Sequence, residues 1–366
     1  MTSRYSSSGQ LSHLISKRDH LLFKYAVFLL TCSLALFFVA MSSGHVSADI
    51  SDMIALLFHR HAGESQPLEH YVLWQLRLPR IVMAMVIGAL LGMSGCALQG
   101  MVRNPLADPG IIGISSGAAV FAAAVIIFQP WLLISLGFLP EWLLNNLVIF
   151  AAFVGALLAV YLVMTIAKGS LGINVMTIIL AGVAINALGG TLIGIMSYIA
   201  SDDALRQITY WTMGSLGGIT WSKAWMVMVL CVIPFWVFMR LRTPLNLLSL
   251  GESHARAMGI NTHRQQQLLI WTVAFSVGLA ISMCGIIGFV GLVVPHITRI
   301  LFGACHKTLM PICGVFGALL MVLADMLSRT LVYPFEIPIG IVTSAIGAPF
   351  FLYLIYMQRQ REEHRV

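Results

Sequence analysis

Runs of about 20 consecutive apolar residues recur along this chain from one end to the other, and no other feature restricts its fold as severely. A backbone placed in hydrocarbon must satisfy its own N–H and C=O groups, so only helices and closed barrels can cross a bilayer. A barrel needs alternating segments of about ten residues, whereas the runs here are continuous. The expected fold is an all-α membrane protein. With 59% hydrophobic and 10% charged residues in 366, the chain has too little polar surface to clothe a soluble globule.

Apolar spans are expected at about 22–41, 81–102, 110–128, 143–166, 174–199, 223–240, 266–286, 288–305, 308–327 and 337–357, about ten in all. The seventh and eighth run together through the glycine-rich stretch 285–291, which predicts that one of them is short or broken. The stretch after Lys17 and Arg18 is long for a signal peptide and reads as the first span, despite the small residues Val46, Ser47 and Ala48 that follow it. Residues 1–21 and 358–366 are then tails. The whole is one transmembrane domain.

The net charge of +7 could suggest nucleic acid, but the basic residues are scattered between spans with no stripe of interleaved aromatics. No nucleic-acid partner is expected, and the bilayer is the surrounding medium. With the N-terminus placed inside, fourteen Lys and Arg fall in cytoplasmic segments and six outside: Arg60, Arg77, Arg80, Arg206, Lys223 and Arg329. That asymmetry predicts a multi-pass protein with an even number of spans and both termini in the cytoplasm.

Sliding the chain by 190 residues matches Gly88 to Gly278, Met93 to Met283, Gly95 to Gly285, Pro105 to Pro295 and Gly113 to Gly303. An offset of five spans reverses direction, so the pattern predicts two inverted five-helix halves with a path between them. Gly88 with Gly92, and Gly190 with Gly194, have the small-xxx-small spacing that lets helices approach closely, within one chain or between two.

Catalytic signatures are missing from the sequence. There is no GxxxxGK[ST] phosphate loop, HExxH or GxSxG, so the chain is not expected to hydrolyse ATP or to act as an enzyme. The six cysteines lie in or beside apolar runs without metal-ligand spacing and read as small buried hydrophobes. His59, His61 and His70 in one outer loop could chelate a metal, or simply face water. Within the spans, His296, Arg299 and Asp325 are the chief ionisable groups, either a proton relay or a structural polar cluster. An ion-coupled transporter would need the relay.

Two polar stretches stand out. Residues 51–60 place Met53, Ile54, Leu56 and Leu57 towards one face, as in a short interfacial helix. Residues 243–265 form the largest cytoplasmic segment and read as two short helices broken at Gly251 and Gly259, a docking surface for a soluble partner.

Several stretches together resemble the permeases of bacterial type II ATP-binding-cassette importers for iron-siderophores, haem and cobalamin. They are LRLPR at 76–80, RNPLADPG at 103–110, LAGV at 180–183, YWTMG at 210–214, LSLGESHARAMGI at 248–260, GFVGLVVPH at 288–296, IPIGIVT at 337–343 and GAP at 347–349. The resemblance implies a homodimer of ten-helix subunits, two cytoplasmic ATPase copies that bind the ATP and Mg, and a periplasmic substrate-binding protein; the chain itself would carry no cofactor. By the same resemblance, Arg77, Arg80 and Arg329 dock the binding protein, with anchoring to lipid headgroups as the alternative. Leu248, Gly251, Glu252, Ala255, Arg256, Met258 and Gly259 belong to the element that sits on the ATPase. Asn174, Val175, Met176 and Thr177 fall at the gate of the fifth span, which with the tenth would line the path. Val175 and Met176 replace small polar gate residues, a departure that makes the gate apolar. The stretch 211–221 (WTMGSLGGITW) is most similar to haem permeases, and an apolar, Met-containing gate suits a porphyrin.

Overall fold

A computed structural model describes residues 29, 31–42, 71–169, 172–332 and 334–363. The expected interfacial helix at 51–60, the three outer-loop histidines and the tail 1–21 lie outside the described residues. Twelve helices are numbered here: α1 Thr31–Ser42, α2 Leu78–Val102, α3 Ile114–Ser135, α4 Leu147–Ala167, α5 Val175–Ile199, α6 Asp202–Met213, α7 Trp221–Ser249, α8 Glu252–Ala257, α9 Thr262–Cys284, α10 Val290–Phe302, α11 His306–Thr330 and α12 Ile339–Glu363. A π-helical turn, Val72–Arg77, leads directly into α2. The lone sheet among the described residues is a two-stranded ribbon of β1 Lys168–Gly169 and β2 Gly172–Ile173, which turns the chain between α4 and α5.

Eight helical stretches are long and apolar enough to cross a membrane, and α1 and α10 are shorter apolar helices. The bundle has two ends. One carries α6 and the starts of α2, α7 and α12; the other carries α8 and the starts of α3, α5, α9 and α11. They are called the α6 end and the α8 end.

The centre of the bundle is α2, whose apolar window is 83% buried, packed on α7, α9, α10 and α11. Glycine makes this possible. Gly88 and Gly317 face each other so closely that each one's missing side chain leaves room only for the other's backbone, and Gly95 does the same for Gly291. Gly92 rests on the Cys313 carbonyl. The 88/92 pair therefore serves packing within the chain. Gly190 and Gly194 have open space beside them.

The predicted break after the seventh span is present. α9 stops at Cys284, residues 285–288 are non-helical, and Phe289 at φ 66° starts the short α10. Non-helical backbone at this depth is tolerated only when buried against protein. Here Ser215 N–H donates to the Cys284 carbonyl at 2.7 Å, and Gly285 fits tightly against the Trp211 carbonyl.

Three expectations need correcting. The second span begins well before residue 81, because the helix continues through Arg77 and Arg80 from Val72. Residues 243–249 do not form a separate helix; α7 runs through Pro234 and Pro244 to Ser249, and α8 stands alone between Gly251 and the turn at Gly259. At the far end α12 continues to Glu363, so most of the expected tail 358–366 is helical. Of the cysteines, Cys96, Cys231, Cys284 and Cys313 are buried, whereas Cys305 is exposed and accepts from Asn246 Nδ2 at 3.6 Å.

Candidate functional site

At the α6 end, α2 and α11 bring Arg77, Arg80 and Arg329 together. Arg80 is in the first turn of α2, and Asp325 and Arg329 are spaced i,i+4 on the last turns of α11. Arg80 Nε donates to Asp325 Oδ1 at 2.8 Å, and Arg329 Nε pairs with Asp325 Oδ2 at 3.2 Å. Arg80 Nη1 reaches both oxygens of Glu336 at 3.0 Å. Arg77 donates to the Met41 carbonyl and Arg329 Nη2 to the Ala40 carbonyl at 3.3 Å, so both cap the last turn of α1. A helix C-terminus leaves carbonyls unsatisfied and favours cations.

None of the three arginines is a free surface charge. Arg77 and Arg329 are 6% and 8% exposed, and the Arg80 side chain 11%. A recess of about 420 Å³ opens beside them, lined also by Val72, Leu76, Leu216 and Glu336. Asp325 thus belongs to a structural ion cluster. His296 lies elsewhere, its ring edge-on to Phe350 of α12 with centroids 6.2 Å apart. His296 and Asp325 are not brought together. Asp325 was legible as a buried acid, but its partners and Glu336 were not.

The residues expected at the gate sit at the α8 end, where α5 starts. Asn174 is its N-cap: Oδ1 accepts from Met176 N–H at 2.9 Å and Thr177 N–H at 3.3 Å. Val175 and Thr177 are half-buried, and Met176 is exposed. One turn of 3₁₀-helix, Pro109–Ile112, packs on α5. Gly182 leaves just enough room for the Ile111 carbonyl, and Asn186 Nδ2 donates to the Gly110 carbonyl at 3.2 Å. Ser116 Oγ donates to Asn186 Oδ1 at 2.7 Å. Asn186 and Ser116 fasten α5 to the turn that the RNPLADPG stretch builds, and neither carried a sequence signal. Asp108 caps that turn by accepting from Gly110 N–H at 2.7 Å, while burial raises its carboxyl above the ordinary 3.8.

Also at the α8 end, Leu248 and Ala255 are buried and Met258 is exposed. Gly251 and Gly259 take φ of 114° and 83°, the left-handed region that lets the chain turn sharply on either side of α8. Glu252 accepts from Arg256 Nη2 at 3.2 Å and from Gln266 Nε2 at 2.9 Å, which ties α8 to α9. The result is a small polar shelf projecting from an apolar bundle.

A helical membrane bundle with a shelf at one end, a buried ion cluster at the other and a broken helix between is the architecture of a transport permease. Residues 31–357 match the model of the FecCD transport family. The chain is 42% identical over 287 residues to the hemin transport system permease protein HmuU of Yersinia pestis, covering 78% of this chain and 83% of that protein. It is 38% identical over 288 residues to the vitamin B12 import system permease protein BtuC of Vibrio cholerae, covering 79% and 83%. A solved structure described as an inward-facing metal-chelate type ABC transporter aligns with TM-score 0.76 at 31% identity, over 93% of this chain and 99% of that one. The chain belongs to the FecCD transport family. It is the permease subunit of an ATP-binding-cassette importer, a multi-pass membrane protein and a transport component, not an enzyme.

Proposed function

We propose that the chain carries haem from the periplasm to the cytoplasm as a homodimer served by two ATPase copies and a periplasmic binding protein. The observation that carries the haem reading is the 42% identity to a hemin permease, above the 38% to the vitamin B12 permease of Vibrio cholerae. The exposed Met176 beside Val175 fits it, because an apolar gate suits a flat porphyrin.

Counting α1 and α10 with the eight long stretches gives ten spans. The pairing of α2 with α11 and of α4 with α9 is what inverted five-helix halves require, each half lending its second helix to the other's fourth. In this reading the α6 end faces the periplasm, both termini are cytoplasmic, and the membrane is the bacterial inner membrane. The open side of α5, with Leu180, Leu188, Ile195 and the unfilled Gly190 and Gly194, faces the second subunit and, with α12, the path. Arg77, Arg80 and Arg329 form the docking region for acidic groups of the binding protein, and 248–260 seats the ATPase.

The test is reconstitution of the permease with its ATPase and binding protein in liposomes. Haem should stimulate ATP hydrolysis and accumulate inside; stimulation by cobalamin or a ferric siderophore instead would reassign the substrate. Iron chelates remain the second reading because of the metal-chelate structural relative.

A further inference from the structure

Glu336 stands where a partner's carboxylate would have to go. It sits on the linker between α11 and α12, three residues before Ile339 begins α12. Its carboxylate lies 3.0 Å from Arg80 Nη1, and its side chain is 42% exposed where that of Arg80 is 11% exposed. The other edge of the Arg80 fork is committed to Asp325, which is 1% exposed. The guanidinium is thus anchored on its inner edge and covered on its outer edge by an acid of its own chain.

We propose that Glu336 is a resident stand-in for the binding protein's acid, and that docking exchanges one carboxylate for the other on Arg80. This rests on the docking role assigned to Arg80 above. The exchange leaves no buried charge unpaired: Asp325 keeps the inner edge, the incoming acid takes the outer edge, and Glu336, already half in water, returns to solvent. Without a stand-in, the waiting guanidinium would face its recess half-satisfied, and burying a charge without a partner is costly. Glu336 therefore keeps the fork extended and sets a threshold that only a partner with well-placed acids overcomes.

The exchange also reaches α12. Among the described residues, polar ties hold the linker at three places: Ile337 N–H and carbonyl bond to Ser328, Ile339 N–H donates to the Gly214 carbonyl at 3.0 Å, and Glu336 pairs with Arg80 on α2. Releasing Glu336 removes the ion pair that ties the linker to α2. Docking thereby loosens the start of α12 without touching it.

The experiment uses the permease–ATPase complex in nanodiscs, titrated with the periplasmic binding protein of the same transport system and, separately, with hexaglutamate as a competitor. Glu336→Gln should tighten binding-protein affinity about two- to fivefold, the range a partly exposed ion pair commands, and strengthen hexaglutamate inhibition by a similar factor. Spin labels at Leu76→Cys and Phe335→Cys should separate on docking in the parent and already lie apart in Glu336→Gln. Arg80→Ala should weaken docking and abolish the effect of Glu336→Gln; Arg80→Lys, which keeps the charge but loses the fork, serves if Arg80→Ala does not fold. If the Arg80 variants weaken docking but Glu336→Gln changes neither affinity nor label distance, the exchange is wrong and the docking role stands. If the Arg80 variants leave affinity unchanged, the docking role itself falls.

Discussion

Arg80 and Asp325 join α2 to α11 through a 2.8 Å charge-assisted hydrogen bond, and the second oxygen of the same carboxylate is held by Arg329. One acid therefore serves two buried cations. Asp325→Asn should destabilise the solubilised permease by about 3 kcal/mol, because removing one member of a buried cluster strands the others. A lowered melting temperature with unchanged ATPase affinity is the expected result. Loss of less than about 1 kcal/mol would mean water reaches the cluster freely.

The two glycine pairs should behave differently. Gly317→Val places a side chain against the Gly88 backbone and should cost about 1–3 kcal/mol through overpacking. A Cβ at Gly190 meets no described residue within 4 Å, so Gly190→Val should keep stability within about 0.5 kcal/mol while the dimer fraction falls. Thermal melting and native mass spectrometry in detergent separate the two outcomes. A dimer fraction untouched by Gly190→Val would remove that face from the subunit contact.

On α8, the pair Glu252–Arg256 is mostly exposed, with Arg256 61% and Glu252 33% accessible, so the pair itself adds little to stability. Arg256→Glu should therefore leave folding intact while reducing ATPase co-purification severalfold. The double swap Glu252→Arg with Arg256→Glu rebuilds the local pair but presents reversed charges outward. Co-purification restored by the swap would mean that the residues matter only to each other.

Asp108 gives a pH signature. Its carboxyl is raised above 3.8 by burial, so the folded chain holds the proton more tightly than the unfolded one. Its contribution is largest below 3.8 and fades as pH rises through the higher folded value. Asp108→Asn keeps an oxygen for the Gly110 N–H and removes the charge, so it should raise the melting temperature near neutral pH and flatten that segment of the pH profile. A variant that melts lower at neutral pH would show that the ionised form is preferred.

Much of the fold was legible because lipid makes apolar length informative. The misreadings share one cause. Arg77 and Arg80 looked like the end of a span because hydropathy counts a charge without knowing its partner, and Asp325 lies 245 residues from Arg80. The sixth span was expected to end at about 240, yet α7 continues through Pro244 to Ser249. Asn174 ahead of an apolar run was readable as a cap. Asn186 and Ser116 were not, since only the folded chain brings the Pro109–Ile112 turn beside α5.

The reciprocal seating of Gly88 and Gly317 decides which parts of this machine are frame and which are moving parts. Two helices meshed backbone to backbone at Gly88 and Gly317, with the Met321 side chain packed beside the crossing, leave little room to roll or slide by a fraction of a side chain. They move together or not at all. If the path runs between α5 and α12 as proposed, opening one mouth and closing the other falls to these helices, which lean on this frame more lightly, with residues 285–289 as the slack that lets α10 follow without unwinding α9.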